Sequence, residues 1–126
     1  MKFDPYIAKL YTSASDYYEV DINIDPTSTM NMVRDKLSAK LGEEGYSTEN
    51  VLFVLGEIND MSLEKCDVLV LSDNYAVDYC RHSYETLNIL LKEPYIVKRL
   101  VDEWNSSLIS NNTDYRMELL ELLKPQ

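Results

Sequence analysis

Residues 17–42 read YYEVDINIDPTSTMNMVRDKLSAKLG, and this stretch decides the fold. Val20, Ile22 and Ile24 alternate with Glu19, Asp21, Asn23 and Asp25. Successive side chains in a strand point to opposite faces, so this period of two predicts a strand with one face buried and one in water. Asp25-Pro26 ends it, because proline fixes its own φ and drives the residue before it out of the helical region. Thr27, Ser28 and Thr29 each offer an oxygen that can cap a helix, and Thr29 is the best placed. Met30, Val33, Leu37 and Leu41 follow at steps of three and four, which predicts a helix over about 29–41 with a single apolar stripe. Gly42 stands where a left-handed C-terminal cap belongs.

The neighbouring segments extend this unit in both directions. Residues 5–12 (PYIAKLYT) predict a first strand, and the turn-like SASD at 13–16 joins it to the second as an antiparallel hairpin. Downstream, Val51, Leu52, Phe53, Val54 and Leu55 form a continuous apolar run stopped by Gly56, the signature of a buried strand. Residues 57–66 suggest a turn and a short edge element, and 67–71 a strand or one helical turn. Residues 72–82 (SDNYAVDYCRH) leave strand and helix open, and 84–91 suit either a closing strand or a helix. After Glu93-Pro94 a helical stripe returns in Val97, Leu100, Val101, Trp104 and Leu108. Ser110, Asn111 and Asn112 interrupt it, and Thr113 caps a last helix carrying Tyr115, Leu119 and Leu122.

The 126 residues suit one domain able to bury a useful core, and the 45% hydrophobic share is that of a globular chain. No run approaches the roughly 18 apolar residues of a membrane span. Asp4 and Pro5 fall where a signal peptide carries its apolar core, so a soluble cytoplasmic protein without membrane contact is expected. Cys66 and Cys80 are too few for a disulfide scaffold and suit free thiols in a reducing compartment. The formal charge of −10 argues against direct nucleic-acid binding, where clustered Lys and Arg supply most of the affinity. It favours solubility and permits a basic protein partner.

The order strand, strand, helix, strand, short strand, final strand resembles the ubiquitin-like β-grasp fold. VDINIDPTSTMNMVRDKL at 20–37 aligns without a gap to the second strand and helix start of such domains. It places Asp25, Pro26, Thr29, Val33, Lys36 and Leu37 at matching positions. Within that superfamily the chain is most similar to Ras-association-type domains, through ENVLFVLGE at 49–57 and LEKC at 63–66. The resemblance implies an α+β β-grasp domain over residues 1–92, followed by a helical extension over 93–126 without counterpart in either family. It also implies basic residues on the second strand, facing an acidic GTPase. Here that strand carries Glu19, Asp21, Asn23 and Asp25, and only Arg34, Lys36 and Lys40 on the helix keep the expected sign. Like charges across an interface cost affinity, so the charge leads away from GTPase binding. Nor do the final residues, Lys124-Pro125-Gln126, supply the diglycine that conjugation needs.

No residue constellation demands catalysis. Cys80-Arg81-His82 is one place where a thiol adjoins a cation and a histidine, but sequence neighbours are seldom aligned as a dyad, and Asp78 opposes ionisation. One histidine and two distant cysteines do not make a metal site, and three scattered glycines do not make a phosphate loop. No cofactor is expected. The ten tyrosines stand out, because tyrosine combines large buried area with a polar end and is favoured at interfaces. These residues predict a non-catalytic protein-interaction module that meets a basic protein through Tyr17, Tyr18, Glu19, Asp21, Asn23 and Asp25. Trp104 adds a second surface if its helix face is open, whether for a partner or a homodimer. Leu119-Leu120-Glu121-Leu122-Leu123 fits an L-x-x-L-L pattern, that of a docking helix or a cover for the chain's own sheet. The alternative function is a small acidic inhibitor that mimics nucleic acid in a basic channel. Sixteen acidic and eight basic residues precede Glu93, a moderate charge density for that task.

Overall fold

The computed structural model describes residues 6–13, 16–22, 27–58, 68–110 and 113–123. Its architecture is mixed α+β. Strands β1 (Ile7–Tyr11), β2 (Tyr17–Asp21), β3 (Val51–Leu55), β4 (Leu69–Leu71) and β5 (Leu87–Leu91) form one sheet in the order β2-β1-β5-β3-β4. β1 runs antiparallel to β2 and parallel to β5, while β3 runs antiparallel to both β5 and β4. The hairpin expected from 13–16 forms, with the Thr12 amide donating to the Asp16 carbonyl at 3.1 Å.

The central strands explain their own composition. All five residues of β3 are buried: Val51, Phe53 and Leu55 in one core, Leu52 and Val54 in another on the opposite face. A strand covered on both faces reads as a continuous apolar run, which is how 51–55 reads. β5 divides likewise, with Leu87 and Ile89 on the first face and Leu90 on the second. Its buried Asn88 keeps its amide satisfied by donating to the carbonyls of Val54 and Gly56.

The first face is covered by α1 (Met30–Lys36), α2 (Ser38–Glu43) and α3 (Val77–Ser83). Met30, Val33, Leu37 and Leu41, the stripe expected from the sequence, are all buried. The single expected helix is two short ones, meeting at Leu37, whose amide is shared between the carbonyls of Val33 and Arg34 at 3.1 and 3.3 Å. Thr29 occupies the N-cap in extended conformation, but its hydroxyl makes no cap bond. Tertiary contacts satisfy the first amides: Met30 N–H donates to the Tyr75 carbonyl at 2.9 Å and Asn31 N–H to that of Asp73 at 3.0 Å. The left-handed cap is Gly45 (φ +83°), and Gly42 lies inside α2. The amides of Tyr46 and Gly45 close back on the carbonyls of Leu41 and Gly42, a Schellman arrangement one turn later than expected.

The segment left open in the sequence is α3, which buries Val77 and Cys80 against the first core. It ends at Tyr84, in left-handed conformation (φ 60°) and 93% exposed. Ser83 pins this turn, its hydroxyl donating to the Cys80 carbonyl at 2.6 Å and accepting from the Glu85 amide at 3.2 Å. A bulky residue in this region carries strain, and an exposed ring recovers none of it by packing. Tyr84→Gly is therefore expected to raise stability by up to about 1 kcal/mol in a denaturant titration.

The second face is covered by α4 (Pro94–Ser110) and α5 (Thr113–Leu123). Val97, Leu100 and Trp104 of α4 and Leu119 and Leu123 of α5 pack on Leu52, Val54, Val70 and Leu90. Arg99 ties the two helices, donating to Glu103 at 2.8 Å and to Glu118 at 2.6 Å. Exposed pairs of this kind contribute little beside the buried leucines. Among the described residues no helix is long and apolar enough to cross a membrane.

Candidate partner-binding edge

β2 is an edge strand, and β1 is its strand partner. Its pairing shows which backbone groups are taken. The Ile22 amide donates to the Tyr6 carbonyl at 3.1 Å, and the Asp16 carbonyl accepts from Thr12 at the other end. In an antiparallel ladder the bonded positions alternate. The register Ala8↔Val20 and Leu10↔Tyr18 therefore turns the N–H and C=O groups of the even-numbered residues of β2 toward β1. Those of Tyr17, Glu19 and Asp21 face away from the sheet. Lys36 confirms the direction, since its Nζ reaches the Asp21 carbonyl at 3.1 Å from outside.

Side chains alternate between the two faces. Tyr17, Glu19 and Asp21 stand on the second face with Ile7, Lys9 and Tyr11, while Tyr18, Val20 and Ile22 stand on the first with Ala8 and Leu10. Tyr17 and Tyr18 are each 45% exposed, and Glu19 and Asp21 are exposed. The Tyr17 ring lies 5.4 Å from that of Tyr11 and carries Lys9 Nζ at 4.9 Å from its centroid. Lys40 Nζ sits 4.4 Å from the Tyr18 centroid on the other face. Each exposed ring thus already holds a cation from its own chain, an arrangement that quadrupolar attraction favours.

This geometry corrects the expected surface in three ways. The acidic and aromatic residues do not share one face: Glu19 and Asp21 accompany Tyr17, whereas Tyr18 is flanked by Lys40. Trp104, expected as a second contact if its helix were open, is fully buried between α4 and the sheet, so that face is closed. Arg34, one of the three helix cations that keep the sign the resemblance implies, turns inward and is not available to a partner. Its Nε and Nη2 donate to Asp73 Oδ1 at 3.2 and 2.8 Å, and its Nη1 to the carbonyls of Thr48 and Val51 at 2.7 Å each. Its guanidinium also lies 5.2 Å from the Phe53 ring centroid. Asn23 and Asp25 lie outside the described residues, as does Cys66.

The chemical alternatives fare as follows. Cys80 is buried, and burial pushes its thiol up to about 12, far from a reactive thiolate. Arg81 and His82 turn instead to Asp78, each at 3.8 Å, with His82 largely in solvent. Among the described residues no group of three His, Cys, Asp or Glu side chains could hold a metal ion. The leucine pattern of α5 is used within the chain, with Leu119 and Leu123 fully buried. A groove of about 620 Å³ lies between the start of α4 and the Arg34–Asp73 pair, but its buried cation is spent on protein acceptors.

Comparison of the chain with protein-family models, curated proteins and solved structures returned no match. The alternation in 19–25 was the sequence signal for this strand and its two faces. Two features had no such signal: the ring-bound lysines Lys9 and Lys40, and the outward direction of the Tyr17 and Glu19 backbone.

Proposed function

We propose that this chain is a non-catalytic protein-binding module of the β-grasp kind, and that its partner surface is the β2 edge with the second face of the β1–β2 hairpin. Three features support the β-grasp reading: the strand order, the parallel β1–β5 centre, and the helix crossing after the first hairpin. On this reading residues 1–92 make the module. Residues 93–126 supply the helices that close its second face, so the hairpin is left as the surface for a partner.

The observation that carries the proposal is an exposed strand that is an edge among the described residues, bearing Glu19 and Asp21 on one face and turning the backbone groups of Tyr17 and Glu19 away from β1. Edge strands are templates for pairing, and carboxylates along them select against acidic partners. The partner is therefore a basic protein in the cytoplasm. The acidic switch region of a GTPase is the wrong sign for this face.

Glu19→Gln tests the reading, because it removes the charge without placing a lysine opposite Lys9. With the partner captured from the native host, affinity is expected to fall about three- to tenfold, while stability stays within about 0.5 kcal/mol. Unchanged affinity removes this surface from consideration. The formal charge of −10 favours a second reading, mimicry of nucleic acid. It predicts that added DNA or RNA displaces the partner and that binding collapses steeply with salt. Binding indifferent to nucleic acid rejects it.

A further inference from the structure

We infer that the β2 edge binds its partner by antiparallel strand addition, and that the added segment carries basic residues at alternate positions with uncharged residues between them. The inference rests on the reading of β2 as the partner surface and states the chemistry of its occupant. It starts from the backbone. Tyr17 and Glu19 each turn an N–H and a C=O outward, spaced two residues apart, which is the repeat of a β ladder. Lys36 Nζ occupies the Asp21 carbonyl and closes the ladder at that end. A sixth strand therefore registers on Tyr17 and Glu19.

The register sets the side-chain pattern of the occupant. A residue directly opposite Glu19 points to the second face, as do residues two positions away. That face presents Glu19, Asp21 and the Tyr17 ring, which already attracts the chain's own Lys9. Lysine or arginine there gains opposite charge across the strand from Glu19 and Asp21, with Lys9 one strand further in on β1. The intervening residues fall on the first face, where Lys36 and Lys40 stand beside the edge. A cation at those positions meets like charge, so a contiguous basic run is disfavoured and an alternating one is selected.

Three synthetic peptides separate the possibilities: one alternating lysine with valine, one of the same composition with the lysines in a block, and the alternating one N-methylated at its lysine amides. In the added strand the lysine amides are the groups that donate to β2, so methylation removes the ladder and keeps the charge. With the full-length, isotope-labelled protein at low salt, the alternating peptide is expected to bind saturably and to protect the Tyr17 and Glu19 amides from exchange. It is expected to bind at least about tenfold more tightly than either of the others, since about two hydrogen bonds or a misplaced charge are at stake. Equal binding of the methylated peptide overturns strand addition and leaves the acidic surface standing. Equal binding of the blocked peptide overturns the alternating pattern. Failure of every lysine peptide to bind overturns both the inference and the reading it rests on.

Discussion

Trp104→Ala is expected to destabilise the protein by about 3–5 kcal/mol, the cost of deleting a large aromatic from a packed interior. Trp104 is fully buried in a core cluster that draws on every layer of the second face: Leu52 and Val54 of β3, Val70 of β4, Leu90 of β5, Leu100 of α4, and Leu119 and Leu123 of α5. No single side chain can move in to fill the space without leaving another contact. The loss is a large share of the 5–15 kcal/mol that holds a typical domain together. Trp104→Phe keeps most of the volume and is expected to cost about 1–2 kcal/mol. Denaturant unfolding followed by circular dichroism measures both. Trp104 is also the chain's one tryptophan, so its fluorescence reports the docking of α4 on the sheet. Because α4 and α5 share their core with β3 and β5, the fluorescence and circular dichroism transitions of the unmodified protein should coincide. An earlier fluorescence transition would show the helices leaving the sheet on their own.

Arg34→Met is the second large effect, with an expected loss of about 2–4 kcal/mol. The methionine keeps much of the stem's packing beside Phe53 but removes four donated hydrogen bonds. The carbonyls of Thr48 and Val51 lose this partner in a half-buried setting, and the Asp73 turn loses its tie to α1. Asp73 is partly exposed, so its carboxylate returns to water and limits the damage. Arg34→Lys is expected to recover less than half of the loss. One ammonium cannot reproduce a planar fork that serves a carboxylate and two carbonyls at once. Equal stability of Arg34→Lys and the unmodified protein in urea would show that charge, not fork geometry, matters at this position.

These two residues also show where sequence reasoning was complete and where it was not. The stripe of Met30, Val33, Leu37 and Leu41 was legible because helical periodicity is local, and its burial follows whatever it packs against. Arg34 sits one step from that stripe, at a boundary where the local pattern does not distinguish inward from outward. It turns inward because the 72–75 turn brings Asp73 over α1, while the Thr48–Asn50 3₁₀ turn and the first residue of β3 each bring a carbonyl to it. Trp104 was legible as part of a helical stripe, but not as closed or open. That depended on the sheet having a second apolar face to receive it. The stretch at 72–82 leaves strand and helix open for a different reason. A seven-residue helix that buries only Val77 and Cys80 is too short for its period to show.

The candidate site divides in the same way. Alternation in 19–22 placed Glu19 and Asp21 on one face and Val20 and Ile22 on the other, a property of the strand itself. That Tyr18 belongs with Lys40 and not with Glu19 follows from the same parity, once α2 is known to lie over that face. Whether β2 has a second strand beside it, and which of its amides look outward, depends on residues far away in the chain. Hydrogen-bond pairing is settled between segments and leaves no mark within one of them. The local units were legible without the rest of the chain: the hairpin, the helical stripe, the buried run at 51–55 and the helix beginning at Pro94. Long-range packing settled that α4 and α5 close the second face, that Arg34 is a clamp, and that β2 is the edge among the described residues. Periodicity records which side of an element avoids water, whereas the identity of its neighbour is set by packing among elements distant in sequence.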